Sequence, residues 1–195
     1  MEKTILYKPI TATRNLRILI TFLIASIINC TTAMCTNNCI IRPATNQDQD
    51  AIFAFIRTLY KNEYTIELDR ENYPDLQDIE EHYFKKGGEF LVAISQDEII
   101  GTMAAPQFAE GQFLLKHLLV RIDFRSKNVG QALLDQLLQP KDAPRIFYLS
   151  TKKTLTPAKQ QKFKDNWFLI VAREDLPDNC PLSEGHDLFM KRIVS

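Results

Sequence analysis

The sequence has no excess of charge of either sign, because its 24 lysine and arginine residues balance 24 aspartate and glutamate residues. Proteins that attract nucleic acid or an anionic membrane surface through a long-range field carry a net positive charge. The composition therefore predicts no nucleic-acid partner and indicates recognition by a local site. The chain of 195 residues is long enough to bury the core of one domain without disulfides or metal.

Cysteine is also scarce. The four cysteines are Cys30, Cys35, Cys39 and Cys180, and no two of them form a CxxC pair. No histidine lies at a spacing that would complete a tetrahedral zinc site, so the sequence predicts no metal centre. A disulfide framework needs denser and more evenly distributed cysteines, and we therefore expect reduced thiols. A bridge between Cys39 and Cys180 is the alternative that stays open.

Long apolar runs are missing except near the N-terminus, where residues 18–34 carry no charge. Four basic residues precede this run. Its densest part, ILITFLIASII, has the length of a signal-peptide core and is short for a bilayer-spanning helix of roughly 20 residues. We interpret residues 1–38 as a hydrophobic N-terminal extension. One alternative is a signal-like or anchoring segment, which would contact a membrane only if it is retained in the mature protein. The other is that the start site is wrongly assigned and translation begins at Met34.

Residues 39–195 have the alternating pattern of an α/β (α+β) domain. Apolar segments rich in β-branched residues predict strands, and apolar residues at spacings of three and four predict helices. The resulting order is βααβββαβαββ, with helices flanking a mixed sheet. The predicted elements include a second helix over Asp75–Lys86, a long fourth strand QFLLKHLLVR in the middle of the sheet, and a helix from about Asn128 to Leu138.

The most informative segment is LLKHLLVRIDFRSKNVGQALLDQLL, in which a strand passes through a short charged loop directly into a helix. Such a junction presents unpaired backbone amides and the positive end of a helix to an anion. Its loop, RSKNVG at 125–130, resembles the Arg/Gln-x-x-Gly-x-Gly/Ala motif of the GNAT N-acetyltransferase superfamily. The resemblance extends in element order from Cys39 to Val194. It implies the GNAT fold, with a mostly antiparallel central sheet.

The resemblance implies acetyl-coenzyme A as the co-substrate, with no metal. In the family the loop amides wrap the pyrophosphate, and the pantetheine arm lies along the fourth strand like an added strand. Asn128 stands where the family usually has Gly, and asparagine is among the few other residues that tolerate a left-handed conformation. The implied cofactor-binding residues are Leu118, Leu119, Val120, Arg125, Ser126, Lys127, Asn128, Val129, Gly130 and Gln131.

The catalytic residues have weaker signals. Acetyl transfer to an amine needs a base that removes the ammonium proton. His117 lies on the fourth strand, where related diamine acetyltransferases place a carboxylate, and histidine exchanges protons near neutral pH. A structural role for His117 is the simpler interpretation, and Glu110 is an alternative base. The family often has a Tyr acid in a pattern like F-Y-x-x-x-G-F, but Phe163 and Trp167 replace the Tyr and the Gly here.

The acceptor side is expected near the C-terminal tail and the loop after the first helix. A solvated loop is the favoured interpretation of four acidic residues in the tail, and attraction of a cationic amine is the alternative: Glu174, Asp175, Asp178 and Glu184. Three tyrosines are expected to be packing residues: Tyr60, Tyr64 and Tyr83.

Two functions follow from these features. The leading prediction is an N-acetyltransferase that uses acetyl-coenzyme A and an amine acceptor, a small molecule or a peptide. The alternative is a catalytically degenerate acyl-coenzyme-A-binding or regulatory module, favoured by Asn128, Phe163 and Trp167. The chemistry predicts a cytoplasmic location, while the N-terminal extension leaves a membrane-anchored or exported protein open. A homodimer is also open, since members of the family frequently pair through sheet edges.

Overall fold

Two five-stranded sheets form the framework of the structure, a computed structural model that describes residues 34–35, 39–152 and 157–195. The strands are β1 (Met34–Cys35), β2 (Cys39–Pro43), β3 (Glu89–Ser95), β4 (Glu98–Ala105), β5 (Gln107–Ala109), β6 (Gln112–Leu114), β7 (Lys116–Val120), β8 (Arg145–Thr151), β9 (Leu169–Val171) and β10 (Leu188–Val194). The helices are α1 (Gln49–Tyr64), α2 (Ile79–His82), α3 (Val129–Leu137) and α4 (Pro157–Asp165).

The predicted fold class is confirmed, since helices flank sheets that are mostly antiparallel. The sheet orders are β1-β2-β3-β4-β7 and β5-β6-β8-β10-β9, and the parallel pairing is that of β6 with β8. Most of the predicted extension, 1–38, lies outside the described residues, so its boundary stays a prediction. Within the described ranges, no helix has the length and apolar character needed to cross a membrane.

One stretch of chain, residues 112–120, belongs to both sheets. Its first part, β6, pairs with β8, and the amide of Leu115 donates to the carbonyl of Tyr148 at 2.8 Å. Beyond Leu115 the chain leaves β8, and β7 pairs antiparallel with β4 instead. The prediction of one continuous strand in the middle of the sheet is therefore wrong. β7 lies at the edge of the first sheet and diverges from the end of β8.

A β-bulge at His117 accompanies this change of sheet. His117 has φ 52°, in the left-handed region, and the β4–β7 register shifts next to it. The hydroxyl of Thr102 on β4 donates to the His117 carbonyl at 2.8 Å, which gives the displaced backbone a partner. A residue in this conformation interrupts the alternation of side chains along a strand.

The segment between α1 and β3 also differs from its prediction. A helix predicted over Asp75–Lys86 is broken into the short α2 with a 3-10 turn on either side, Pro74–Leu76 and Phe84–Lys86. The helix begins late because Asp78 is its N-cap, accepting a hydrogen bond from the Glu81 amide at 3.0 Å. The inward face is as predicted, with three residues at most 1% exposed: Leu76, Ile79 and Tyr83.

Helix α3 packs closely on the first sheet through Val129, Leu133 and Leu137, which are buried in the largest apolar cluster. The approach depends on Gly101 of β4, because a Cβ at this position would lie 3.2 Å from both Leu133 and Val129. The opposite face of the sheet is covered by α1 and the α2 region. The first turn of α3 is thereby held against the sheet beside β7.

The cysteines depart from their prediction. Cys39 takes part in a disulfide bond, so the reduced thiol predicted for it is wrong. The thiol of Cys180 is free and buried, which also excludes the bridge between Cys39 and Cys180. Strand β1 was not predicted; it pairs with β2 and places Cys35 opposite Cys39.

Trp167 supplies a test of local stability. It follows α4 with φ 62°, and the amides of Trp167 and Phe168 donate back to Lys164 and Phe163 at 2.9 and 3.0 Å, a Schellman ending that favours glycine. The residue is 77% exposed, so little burial is lost on truncation. We expect Trp167→Gly to raise the free energy of unfolding by about 0.5 to 1 kcal/mol, measured by urea denaturation.

Trp167→Ala is the matched control, because it removes the same ring but keeps the Cβ that the left-handed conformation disfavours. It should give no such gain. An equal gain from both variants would show that the exposed ring, and not the backbone conformation, is the source of the effect.

Candidate functional site

The free edge of β7 is the first component of the site, since no strand among the described residues pairs with it on the side away from β4. Val120 lies opposite Gly101 and Leu119 opposite Thr102, and the Arg121 amide donates to Ile100 at 2.9 Å. Hydrogen-bonded and non-hydrogen-bonded pairs alternate in antiparallel strands. Since Arg121 and Ile100 are hydrogen-bonded, Leu119 and Thr102 form the next hydrogen-bonded pair. The main-chain groups of Leu119 therefore point to β4, whereas those of Leu118 and Val120 point to the free edge.

The second component is the loop that joins β7 to α3. It forms a 3-10 turn over Ile122–Lys127 and ends at Asn128, whose φ of 59° is the left-handed conformation expected from the sequence. Helix α3 begins directly after it, and a helix leaves the amides of its first turn without intrahelical acceptors. The amides of Val129, Gly130 and Gln131 therefore form the positive end of a helix at the end of β7.

The side chains of the loop are engaged in local contacts. Arg125 donates through Nε to the Val120 carbonyl at 2.9 Å and pairs through its guanidinium with Glu63 of α1. The ammonium of Lys127 lies 4.2 Å from the centroid of the Phe124 ring. Ser126 is exposed. Arg125 thus holds the end of the strand, the loop and α1 together, a role that the sequence did not predict.

The amide side chain of Gln131 fixes the start of α3 from the other side. Its Nε2 donates to Asn166 Oδ1 at 2.8 Å, and Asn166 Nδ2 donates back to Gln131 Oε1 at 3.1 Å. Helix α3 is therefore anchored at its first turn to the end of α4. The donor set of this region, several main-chain amides beside two cationic side chains, fits a diphosphate group.

A polar cluster beneath β7 is the third component, and its centre is Asp75. Asp75 Oδ2 accepts hydrogen bonds from Tyr83 Oη at 2.7 Å and from Lys116 Nζ at 3.3 Å, and lies 3.1 Å from His117 Nε2. Consecutive strand residues normally point to opposite faces. Lys116 and His117 reach the same oxygen because the left-handed backbone at His117 breaks this alternation.

The cluster keeps Asp75 ionised. Burial by itself would raise the pKa of the Asp75 carboxyl, but the hydrogen bond and charge of His117, the charge of Lys116 and the Tyr83 hydroxyl outweigh it, and the pKa is lowered well below its usual range. Burial and the adjacent carboxylate in turn raise the pKa of Tyr83. An ionised carboxylate only accepts hydrogen bonds, so His117 donates to Asp75 through Nε2.

A cleft of about 250 Å³ borders this cluster. Its lining comes from the α2 region, β5, the start of β7 and the C-terminal tail: Asp75, His82, Tyr83, Lys86, Pro106, Gln107, Phe108, Lys116 and Pro181. His117 does not line it, since its side chain is 8% exposed and its ring stacks on Phe90 with centroids 6.1 Å apart. Asp75 therefore separates His117 from the cleft.

A larger and more open depression of about 720 Å³ lies between α1 and residues 67–70. It contains no predicted site residue and does not include any part of β7 or the loop. The smaller cleft is the better candidate for an acceptor site, because it adjoins the polar cluster on β7.

Several candidates from the sequence lie elsewhere. Glu110 is exposed in the turn between β5 and β6 and does not line the cleft. The four acidic tail residues are exposed and do not line it either, although the same tail contributes Pro181. Phe163 is 7% exposed and packs edge-on against Phe168 in the core. No group of three His, Cys, Asp or Glu residues in the described part of the chain is arranged to hold a metal ion.

The tyrosines divide between the core and the surface. Tyr83 is 1% exposed and belongs to the polar cluster, so packing is only part of its role. Tyr60 and Tyr64 contact each other with ring centroids 5.5 Å apart, and Tyr64 is half exposed.

Sequence reasoning missed Asp75, which it treated as the first residue of a helix. A signal was available, since Asp78 and Glu81 have the spacing of a capping box and place the helix start three residues later. That boundary leaves Asp75 outside the helix, beside Pro74, where its carboxylate is free to contact other elements. Nothing local identifies Lys116 and His117 as its partners, because they are more than forty positions away in the sequence.

Comparison with known proteins relates this arrangement to one family. A model of the Acetyltransferase (GNAT) family matches residues 53–160, more than half of the chain. An acetyltransferase of the GNAT family from Staphylococcus aureus Mu50 is 27% identical, with a TM-score of 0.70 over 80% of this chain and 99% of that chain. No curated protein sequence gives a match.

Two further solved structures are similar in fold alone. The PaiA N-acetyltransferase from Thermoplasma acidophilum, in complex with coenzyme A, is 16% identical, with a TM-score of 0.58 over 80% of this chain and 98% of that chain. A phosphinothricin acetyltransferase from Sinorhizobium meliloti, in complex with AcCoA, is 17% identical, with a TM-score of 0.59 over 80% and 89% of the two chains.

Asp75→Asn tests the polar cluster through the pH dependence of stability. The pKa of Asp75 is lower in the folded chain, so its ionised form stabilises the fold above the unfolded pKa, and this contribution is lost as the pH falls below about 4. At neutral pH we expect Asp75→Asn to lower the free energy of unfolding by about 1 to 3 kcal/mol. Denaturant titrations between pH 3 and pH 7 should show a smaller acid-dependent loss for the variant than for the wild type.

Asp178→Asn is the control for this measurement, because Asp178 is exposed and forms no ion pair with the described residues. Its stability should follow the wild-type curve at every pH. If Asp75→Asn also followed that curve, the ionised carboxylate would not be the group that holds the cluster together.

Proposed function

Because the chain belongs to the GNAT acetyltransferase family, as its loop motif predicted, we propose that it transfers the acetyl group of acetyl-coenzyme A to a primary amine of a small molecule or peptide. The observation that carries this proposal is the divergence of β7 from β8 beyond Leu115, which leaves a strand edge free next to the positive end of α3. A strand edge pairs with an extended chain, and a helix start binds an anion. One ligand that has both parts, in this order, is a pantetheine joined to a diphosphate.

The proposed cofactor site uses the chain mostly through its backbone. The main-chain groups of Leu118 and the amide of Val120 would pair with the pantetheine arm, since the Val120 carbonyl already accepts from Arg125, and the amides of 126–131 would bind the diphosphate. Leu119 would contribute packing, since its own main-chain groups point to β4. Acetyl-coenzyme A would supply an activated acetyl group, whose carbon–sulfur bond breaks as the new bond to the amine nitrogen forms.

His117 is the proposed base. Its Nε2 is held by Asp75 and its side chain does not line the cleft, so Nδ1 would accept the amine proton through a water molecule. The same carboxylate would stabilise the imidazolium that results, because the charge would form 3.1 Å from an ionised oxygen. Asp75 acts in this scheme through His117 and is a positioning residue.

The alternative function, an acyl-coenzyme-A-binding or regulatory module without turnover, has one supporting observation. Phe163 fills the position of the family's acid with a buried phenyl ring, which has no proton to donate. A thiolate is a competent leaving group without an acid, and we therefore favour a transferase of reduced rate.

As parts of the same proposal, we infer a cytoplasmic location, where acetyl-coenzyme A is available, a homodimer as the assembly to test, and no nucleic-acid partner.

Gly130→Glu tests the cofactor site. A carboxylate on the first turn of α3 would occupy the space in front of the amides and repel a diphosphate. We expect at least a tenfold loss of affinity for acetyl-coenzyme A in calorimetric titration, about 1.4 kcal/mol. Gln136→Glu adds the same charge near the other end of α3 and should bind like the wild type. If the wild-type domain shows no affinity for acetyl-coenzyme A, the proposed function is wrong.

His117→Gln tests the base. A glutamine retains hydrogen bonding but does not exchange protons near neutral pH, so we expect kcat to fall about 10²-fold or more. Affinity for acetyl-coenzyme A should remain, because the histidine side chain lies away from the loop. An unchanged kcat and an unchanged pH profile would remove His117 from the mechanism. Binding of the cofactor by the wild type, without turnover of any amine, would favour the alternative function.

A further inference from the structure

The cleft beside the polar cluster has a charge pattern that an amine alone does not explain. Two ammonium groups, of Lys86 and Lys116, and one carboxylate, of Asp75, line it. His82 is a further titratable group of the lining. The acidic tail residues do not contribute, so the lining carries more positive than negative charge. A cleft built only for a cationic amine would have the opposite balance.

The single carboxylate is already occupied. Asp75 has three partners within 3.3 Å, and two of them, Lys116 and His117, are able to carry positive charge. An incoming ammonium would have to displace one of these contacts to pair with Asp75. The carboxylate therefore serves the cluster and is not an open site for a cation.

Lys86, in contrast, forms no ion pair with any described side chain, and it is exposed at the end of the 3-10 turn that follows α2. The neighbouring Lys85 pairs with Glu81 at 2.9 Å and does not line the cleft. Lys116 is 38% exposed, and its ammonium is shared with Asp75 at the longest distance of the cluster, 3.3 Å. Both cleft lysines therefore have hydrogen-bonding capacity left for a ligand.

We propose that the acceptor of this protein is an amine that also carries a carboxylate, and that Lys86 and Lys116 bind this carboxylate in the cleft. The proposal rests on the proposed function and specifies its acceptor class. The volume of about 250 Å³ suits a molecule of amino-acid size. Phe108 and two prolines, Pro106 and Pro181, supply an apolar wall for the rest of the molecule.

The experiment compares each of the common amino acids with its own primary carboxamide, and kcat/KM is expressed per concentration of unprotonated amine, because amidation also lowers the pKa of the α-amine. Acetyl transfer is followed by thiol release, and binding to the protein saturated with coenzyme A is followed in parallel by ligand-observed NMR. We expect at least one amino acid to exceed its carboxamide at least tenfold in kcat/KM and to bind more tightly. Lys86→Gln should reduce this acid-to-amide ratio about tenfold.

Lys85→Gln is the matched control, because it removes the same charge one residue away from a side chain outside the cleft. The ratio for this variant should equal that of the wild type. A wild-type ratio near one, or an equal loss for both variants, would overturn the proposal.

Different outcomes would refute the carboxylate site and the transferase activity. Amides acetylated as well as acids would refute the carboxylate site and leave the transferase intact. Without turnover of any acceptor, the transferase proposal fails and the binding arm still decides: tighter binding of acids, weakened in Lys86→Gln, supports the site, and equal binding of acids and amides refutes it.

Discussion

The point at which residues 112–120 pass from one sheet to the other is the constraint on which the rest of the site depends. The hydrogen bond from Leu115 to Tyr148 is where the pairing with β8 stops, and β7 then continues with β4 alone. If the strand had stayed paired along its whole length, Leu118 and Val120 would have no free main-chain groups, and a ligand would have no edge to join. The left-handed backbone of His117 makes the change of direction compatible with continued pairing to β4.

The polar cluster around Asp75 connects the irregular α2 region to the bulge in β7. Tyr83, Lys116 and His117 all contact the same oxygen of Asp75, so the loss of this carboxylate would affect the whole cluster. The same cluster fixes the proton on His117 Nε2 and reserves Asp75 for that purpose. The positive balance of the adjoining cleft is a consequence, because Asp75, the one carboxylate among the described residues of its lining, is already hydrogen-bonded within the cluster.

The sequence predicted the order of the elements and the start of α3, because each depends on a local pattern of residues. The left-handed conformation of Asn128 was implied by the resemblance of its loop to the family motif. The sequence did not predict the division of the fourth strand, since an apolar run such as QFLLKHLLVR has no mark that says which neighbour each half will join. It also missed Asp75 and the disulfide bond of Cys39. Both depend on contacts between distant segments or on a strand as short as β1, for which periodicity gives no signal.

Gly101 connects the packing of the core to the geometry of the site. The strand edge and the helix amides belong to different elements, and their separation depends on how near α3 sits to β4. A Cβ at position 101 would require the side chains of Val129 and Leu133 to give way by a few tenths of an ångström. The distance between the strand edge and the helix amides therefore depends on Gly101, a residue that contributes no side chain and belongs to neither of the two binding elements.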